Sequence, residues 1–454
     1  MPFKRTRTGC FTCRGDGYKC DERKPFCSRC VRLGKECKGY GLRLKWQNPV
    51  NPQAGNVPKE TRGRSASPST SSIKARTRTN IQRAAVPAII PRSMSSELPP
   101  QHAYMLDHWS TTLAALVTMA PMAQNLFHTN VTPIVFHSKA LLSAVCSMAA
   151  CHLSTLKADD SLHTLGTSYQ IQAFASLRES IATEKPLVSL ATIVILQITD
   201  RLFNDSFGAR FGVNHLKGAN AIIRQAGPKA LECDLGRFLL TICSYYDAIT
   251  SVSRRDSPIL GLGGGVPSIE GVAPMRGLKI LWTTVGQISR MCGQDKALHD
   301  SEGAAIELTL QAVDISSREG DIGHTVHAYK EASYIYLHRV WHGVGSPHPT
   351  TLKHARDCIH HLLQVPVSSR LCSAHPWPLW TAACETIDSN LRDLVRERLQ
   401  AMYEARHFPS LKRLLEDMEH VWRIKDEELR STGVDSTDCI KVILATRQRE
   451  ADLA

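Results

Sequence analysis

Between residues 47 and 100 the chain has no phenylalanine, tyrosine or tryptophan, while it has eight prolines and eight serines. Such a stretch cannot bury enough apolar surface to order itself, so a disordered Pro/Ser/Arg-rich linker is expected over 47–100. The same poverty excludes the apolar heptads of a dimerising coiled coil, and Pro49, Pro52 and Pro58 would interrupt such a helix at its start. Acidic residues are scarce at this end too. The first hundred residues hold 21 Lys and Arg against 6 Asp and Glu, a charge of +15; the whole chain is +13, so residues 101–454 carry −2. Basicity confined in this way excludes an evenly solvated basic surface and points to a polyanionic partner.

Long apolar runs are also missing. The longest, Leu187 to Ile198, contains Ser189, Thr192 and Gln197 and is too short to span a bilayer, so a soluble chain with no membrane partner is expected. The opening Met1-Pro-Phe-Lys-Arg-Thr-Arg-Thr8 has no apolar core of a secretory signal, so reduced thiols are expected rather than disulfides. Catalytic spacings are lacking as well. His324 and His327 sit at i, i+3 without an H-E-x-x-H or comparable ligand set, and His360-His361 has no companion motif. The glycine-rich Gly261 to Pro267 lacks the strand-to-helix context of a phosphate loop and reads as a connector. Cys146, Cys151, Cys233, Cys243, Cys292, Cys358, Cys372, Cys384 and Cys439 are scattered among apolar residues as small hydrophobes. No enzyme is expected.

What is present is concentrated. Cys10, Cys13, Cys20, Cys27, Cys30 and Cys37 form two copies of Cys-x2-Cys-x6-Cys joined by a six-residue spacer. Two tetrahedral Zn²⁺ ions need eight ligand positions, which six thiolates supply if two sulfurs bridge. One zinc with two cysteines spare is the competing count, but it leaves the repeat unexplained. Phe11, Tyr18, Phe26, Val31 and Leu33 are too few to build a self-sufficient core, so metal would supply most of the folding energy. Short helices are expected over Cys13–Lys19 and Cys30–Lys35, each opening on a thiolate.

From Gly9 to Cys37 these residues resemble the fungal Zn2Cys6 binuclear-cluster transcription factors: Gly9 before the first cysteine, Arg14 after the second, Lys19-Cys20-Asp21, and Pro25 two positions before Cys27. The resemblance implies that Cys10 and Cys27 bridge two Zn²⁺ ions, that Cys13, Cys20, Cys30 and Cys37 are terminal ligands, and that Lys24-Pro25 turns between the half-sites. It also implies that the first helix enters the DNA major groove at CGG-type triplets, in the nucleus, at RNA polymerase II promoters, with a tendency towards metabolic gene clusters. Arg14, Lys19, Arg5 and Arg7 are the expected DNA contacts. The chain departs from the family in that helix, where Asp16 and Gly17 occupy the usual basic pair. Arg29, Arg32 and Lys35 are among the cations available to compensate. Gly17→Lys is expected to restore affinity.

Beyond residue 101 the composition is globular, with six of the seven tryptophans. Ile387, Leu391, Leu394, Val395, Leu399, Met402 and Tyr403 recur at helical spacing with Arg392, Arg396, Glu397 and Arg398 turned away, and Leu411 to Trp422 continues the pattern. About a dozen helices are expected. His215-Leu-Lys-Gly-Ala219, Ala328-Tyr-Lys-Glu-Ala332 and Trp377-Pro-Leu-Trp380 resemble the fungus-specific transcription factor domain. The resulting expectation is a small Zn2Cys6 module with two short helices at 1–46 and a large all-α regulatory domain at 101–430, with a tail at 431–454. Its partners would be double-stranded DNA and the transcription machinery, with homodimerisation and monomeric half-site binding both open. The rival reading is an interaction protein whose zinc module no longer reads DNA and which acts through its helical domain.

Overall fold

A computed structural model describes residues 10, 12–13, 16–23, 27–35 and 37 of the cysteine-rich segment, and residues 99–119, 125–203, 210–261, 273–292, 296–313, 320–433, 437–447 and 453 beyond it. The linker at 47–98, the glycine-rich connector at 262–267, and Arg5, Arg7, Arg14, Lys24 and Pro25 lie outside them. The chain divides into two units, residues 1–83 and 84–454.

Among its described residues the first unit holds one five-residue helix, α1 (Ser28–Arg32). The buried cluster there consists of the six cysteines. Tyr18 and Val31 are about two-thirds exposed, so these apolar residues do not form the core; sulfur does.

The second unit is helical, with no strand among the described residues. Fourteen helices of eight or more residues follow one another: α2 (Pro100–His108), α3 (Lys139–Lys157), α4 (Asp160–Ser180), α5 (Pro186–Phe203), α6 (Arg210–Ala226), α7 (Asp234–Arg254), α8 (Ala273–Met291), α9 (Lys296–Ala312), α10 (Gly320–Trp341), α11 (Pro349–Gln364), α12 (Pro376–Ala383), α13 (Ser389–Arg406), α14 (Pro409–Thr432) and α15 (Cys439–Arg447). Their ends follow local chemistry. Ser138 and Asp388 cap α3 and α13 by accepting from the Leu141 and Asn390 amides. Gly433 closes α14 at φ +72°, where a β-carbon would be strained. The last helix lies in the expected tail, where Ile440 and Ile443 are buried.

Helices α3 and α5 are long and apolar enough to cross a membrane, but 78% and 83% of their apolar windows are buried inside this fold. The run read as too short therefore belongs to an 18-residue helix whose apolarity is consumed by helix packing. Trp109, Trp282, Trp377, Trp380 and Trp422 are fully buried, and the three resembling segments reach the core through His215, Tyr329 and Trp377.

Helix α13 corrects the sequence reading of its faces. Val395, Leu399 and Met402 are buried as expected, but Ile387 and Leu394 are about 40% exposed. Its arginines do not all turn away. Arg392 makes two 2.7 Å bonds to Asp426, Arg396 pairs with Glu419, and both guanidinium groups lie about 5 Å from the Trp422 ring. Arg398 is buried outright. Periodicity located the helix; bidentate carboxylates and an aromatic face let its polar residues pack as well.

A buried polar knot centred on Glu385, just beyond α12, ties α10 and α14 together. Glu385 accepts from Arg339 at 2.7 and 2.8 Å, from Lys425 at 2.9 Å, and from the Ser346 amide and hydroxyl. Desolvation opposes the charge, but Lys425 and Arg339 prevail and hold the carboxyl at about 2. Glu385→Gln strips both cations of their shared carboxylate and should destabilise the domain by about 3–5 kcal/mol in urea unfolding. Because the folded pKa lies below the unfolded value, this contribution is complete above about pH 4.3 and is lost as pH falls towards 2. The variant should therefore lose the corresponding part of the wild-type acid transition.

Candidate metal centre

The sequence repeat becomes a structural repeat with a period of 17 residues. The Cys13 amide donates to Cys10 Sγ at 3.4 Å, and the Cys30 amide to Cys27 Sγ at 3.3 Å. The Tyr18 amide then closes on the Cys13 carbonyl at 3.0 Å, as Lys35 does on Cys30 at 2.9 Å. Gly17 at φ +76° and Gly34 at φ +60° take the left-handed turn that ends each half. The expected helix over Cys13–Lys19 thus does not extend to Lys19. Helical backbone is present at Thr12–Cys13, Asp16–Gly17 is a turn, and Lys19 lies on irregular chain beyond it. The second helix begins at Ser28, two residues earlier than expected, because Cys27 acts as its cap.

All six cysteines are buried, and none is joined in a disulfide. Their sulfurs form two groups, Cys10, Cys13, Cys20, Cys27 and Cys10, Cys27, Cys30, Cys37, with the sulfurs of each group within 4.8 Å of one another. Cys10 and Cys27 belong to both groups, and their sulfurs are 3.6 Å apart. Two four-sulfur sites sharing two atoms is the donor set that two tetrahedral soft-metal ions require. Burial pushes the Cys10 thiol up to about 12 and raises Cys27 and Cys30 too, so the thiolate form needs a cation at the centre. Backbone N–H bonds to sulfur fix the orientation of Cys10, Cys20, Cys27 and Cys37.

Asp16 occupies the gap between the halves. Lys35 Nζ reaches its Oδ2 at 2.8 Å and Arg29 Nη1 at 3.5 Å, holding the Asp16 carboxyl below its ordinary range, with Lys35 the larger influence. Arg29 also donates to Cys13 Sγ at 3.6 Å and lies 4.1 Å over the Tyr18 ring. Two cations counted from the sequence as compensation are therefore engaged within the module by the anion they were to offset. Asp21 has a positional role that spacing did not reveal: its Oδ2 accepts from the Ser28 amide at 3.0 Å and fixes the start of α1. Lys19 and Arg32 are exposed. Of the expected DNA contacts Arg14, Lys19, Arg5 and Arg7, Lys19 alone lies among the described residues.

The left-handed φ of Gly17 also revises the substitution expected to restore affinity. A lysine there meets open space but carries about 1–2 kcal/mol of backbone strain, which makes position 16 the better place for a cation.

The histidines set aside in the sequence do converge. His324 Nδ1 lies 3.0 Å from His361 Nδ1, and the His327 and His361 rings stack at 4.4 Å, joining α10 to α11. The cysteines are nevertheless the only groups of three or more ligands gathered around one point among the described residues. Six of the nine remaining cysteines are buried.

Comparison with known proteins agrees with this geometry. Residues 8–47 match the fungal Zn(2)-Cys(6) binuclear cluster domain, and residues 104–264 and 294–447 match the fungal specific transcription factor domain. Arginine metabolism regulation protein II of Saccharomyces cerevisiae is 44% identical over 58 residues, 13% of this chain and 7% of that protein. White-opaque regulator 2 of Candida albicans is 62% identical over 37 residues, 8% of each chain. The aspercryptin biosynthesis cluster-specific transcription regulator atnN of Emericella nidulans is 47% identical over 49 residues, 10% of this chain and 8% of that one. The matched segments thus span less than a tenth of these relatives. No solved structure gives a significant match. With a zinc-cluster domain at its start and the second family covering more than half of its length, the chain belongs to the fungal specific transcription factors headed by a Zn(2)-Cys(6) binuclear cluster.

Proposed function

We propose that this chain is a zinc-dependent, sequence-specific DNA-binding regulator of RNA polymerase II transcription that acts in the nucleus. The observation that carries the reading is the pair of four-sulfur groups sharing Cys10 and Cys27. In this reading Cys10 and Cys27 would be shared between two Zn²⁺ ions, with Cys13 and Cys20 completing the ligands of one and Cys30 and Cys37 those of the other. Bound zinc supplies the positive charge that keeps the thiolates ionised and cross-links the two halves. The chain's own residues do the rest. Cys10 and Cys27 open the halves as caps, Gly17 and Gly34 end them, and Asp21 sets the start of α1.

DNA contact would fall to Lys19 and Arg32, which are exposed, and to Arg5, Arg7 and Arg14 of the expected set, each neutralising backbone phosphate. The similarity to a cluster-specific regulator supports control of a metabolic gene cluster. Chromatin immunoprecipitation of the tagged full-length protein tests this: reads should concentrate at a few promoters, and an even distribution would overturn it.

One observation favours the rival reading. Asp16 draws Arg29 and Lys35 into an internal clamp, so fewer cations face a polyanion than the charge count implied. A chain that works only as an interaction protein would leave its binding to DNA non-specific, which selection of random duplexes distinguishes directly.

A further inference from the structure

Helices α5, α7, α13 and α14 enclose a cavity beneath the segment that follows α2. Its walls are apolar, with Ile198, Leu202, Ile242, Met402, Phe408 and Leu411 among them, and its interior volume is about 70 Å³. That is more room than one water needs. None of the lining residues is Asp or Glu, and one is a cation, Arg406.

Arg406 is only 4% exposed. Its Nη1 donates to the Leu116 carbonyl at 3.0 Å and to Ser373 Oγ at 3.2 Å, and its Nη2 to the Ser369 carbonyl at 2.6 Å. Its Nε is buried without a partner. Arg398 is buried on the same helix, α13, donates Nη2 to Cys372 Sγ at 3.3 Å, and also has an unpartnered Nε. His375, fully buried, is held neutral by burial and by these two arginines. Among the described residues neither Arg398 nor Arg406 makes an ion pair. Asp321 is felt by Cys372, but it does not reach either guanidinium at ion-pair distance. Arg339, by contrast, shares the Glu385 carboxylate in the same domain.

A buried guanidinium held only by neutral acceptors is an unfavourable arrangement unless an anion completes it. The anion must come with an apolar body, because every other wall of the cavity is apolar or uncharged. We propose that this cavity binds a small apolar monocarboxylate, its carboxylate at Arg406 and its ring or short chain between Ile198, Ile242, Met402 and Leu411. This places a ligand site inside the regulatory domain and makes the occupancy of one arginine its chemical sensor. The site rests on the helical domain alone and is independent of what the zinc module reads.

The test is calorimetric titration and thermal unfolding of the full-length, zinc-loaded chain. The probes are benzoate and hexanoate, with benzyl alcohol and hexan-1-ol as neutral counterparts. The acids should bind at least about tenfold more tightly than the alcohols, since a charge-assisted bond to arginine is lost in the latter. Arg406→Gln should erase that preference, and Ile242→Trp, which fills the cavity, should block acid and alcohol alike. Arg406 also fastens Leu116 and Ser369, so if Arg406→Gln does not fold, Ile242→Trp and Met402→Trp decide. No acid binding up to about 10 mM, equal affinity for acid and alcohol, or acid binding unchanged in a folded cavity-filled variant would each overturn the proposal.

Discussion

Chelating zinc from the full-length chain should abolish specific DNA binding and unfold residues 10–37, and a single substitution at Cys27 should do the same. The physical reason is the composition of that unit's core. Among the described residues its buried cluster is six sulfurs, while Tyr18 and Val31 face solvent, so little apolar remains to hold the halves together once the thiolates lose their cations. Structural zinc in comparable peptides contributes about 10–16 kcal/mol at neutral pH, far more than the few backbone bonds that close each half. The sharing of Cys10 and Cys27 between the two sulfur groups adds a graded expectation. Cys10→Ala or Cys27→Ala should cost both zinc ions, whereas Cys20→Ala or Cys37→Ala should retain about one ion per chain, because each belongs to one group. Elemental analysis after gel filtration reads the difference. Equal zinc loss from bridging and terminal variants would refute the shared-sulfur arrangement.

The second large effect concerns Asp16. Asp16→Lys should tighten binding to duplex DNA by about tenfold or more at roughly 50–100 mM salt and steepen its salt dependence. The substitution removes the carboxylate that engages Lys35 at 2.8 Å and Arg29 at 3.5 Å, and it adds a cation at the same exposed position. Each additional phosphate contact should change the slope of log K against log salt by about 0.9. Asp16→Asn separates the contributions, since it removes the carboxylate's hold on Lys35 and Arg29 without adding a cation and should give a smaller gain. Fluorescence anisotropy across a salt series measures both. An unchanged slope in Asp16→Lys would show that Lys35 and Arg29 do not reach DNA even when released, and the specific binding would then rest on Lys19, Arg32 and the residues before Cys10.

How far the sequence discloses this molecule depends on which force fixes each part. The gathering of the six cysteines was legible because metal chemistry demands particular residues at particular spacings, and Cys-x2-Cys-x6-Cys repeated twice meets that demand. The capping role of the sulfurs is a consequence of the same spacing. The turn that follows Cys13 was less legible, since Gly17 reads as a weak helical residue in sequence but takes a left-handed conformation in three dimensions. The Asp16 clamp was hidden for a different reason: Lys35 lies 19 residues away, and only the fold of the second half brings it back.

In the helical domain, periodicity found α13 and α14 because apolar spacing reports the buried stripe. It misjudged Arg392, Arg396 and Arg398, whose packing depends on Asp426, Glu419, Trp422 and Cys372 on other elements. Glu385 and Arg406 were unreadable in the same way. Each looks like an ordinary surface charge in sequence, and each becomes a buried, energetically consequential group through partners 33 to 290 residues distant.

The measurement that bears most directly on the central claim is selection of random duplexes by the purified full-length chain at low salt, with zinc and with a chelator. The account predicts enrichment of a short motif containing a CGG-type triplet in the presence of zinc and its complete loss on chelation. Recovery of no motif at low salt, or of the same motif with zinc removed, would contradict it.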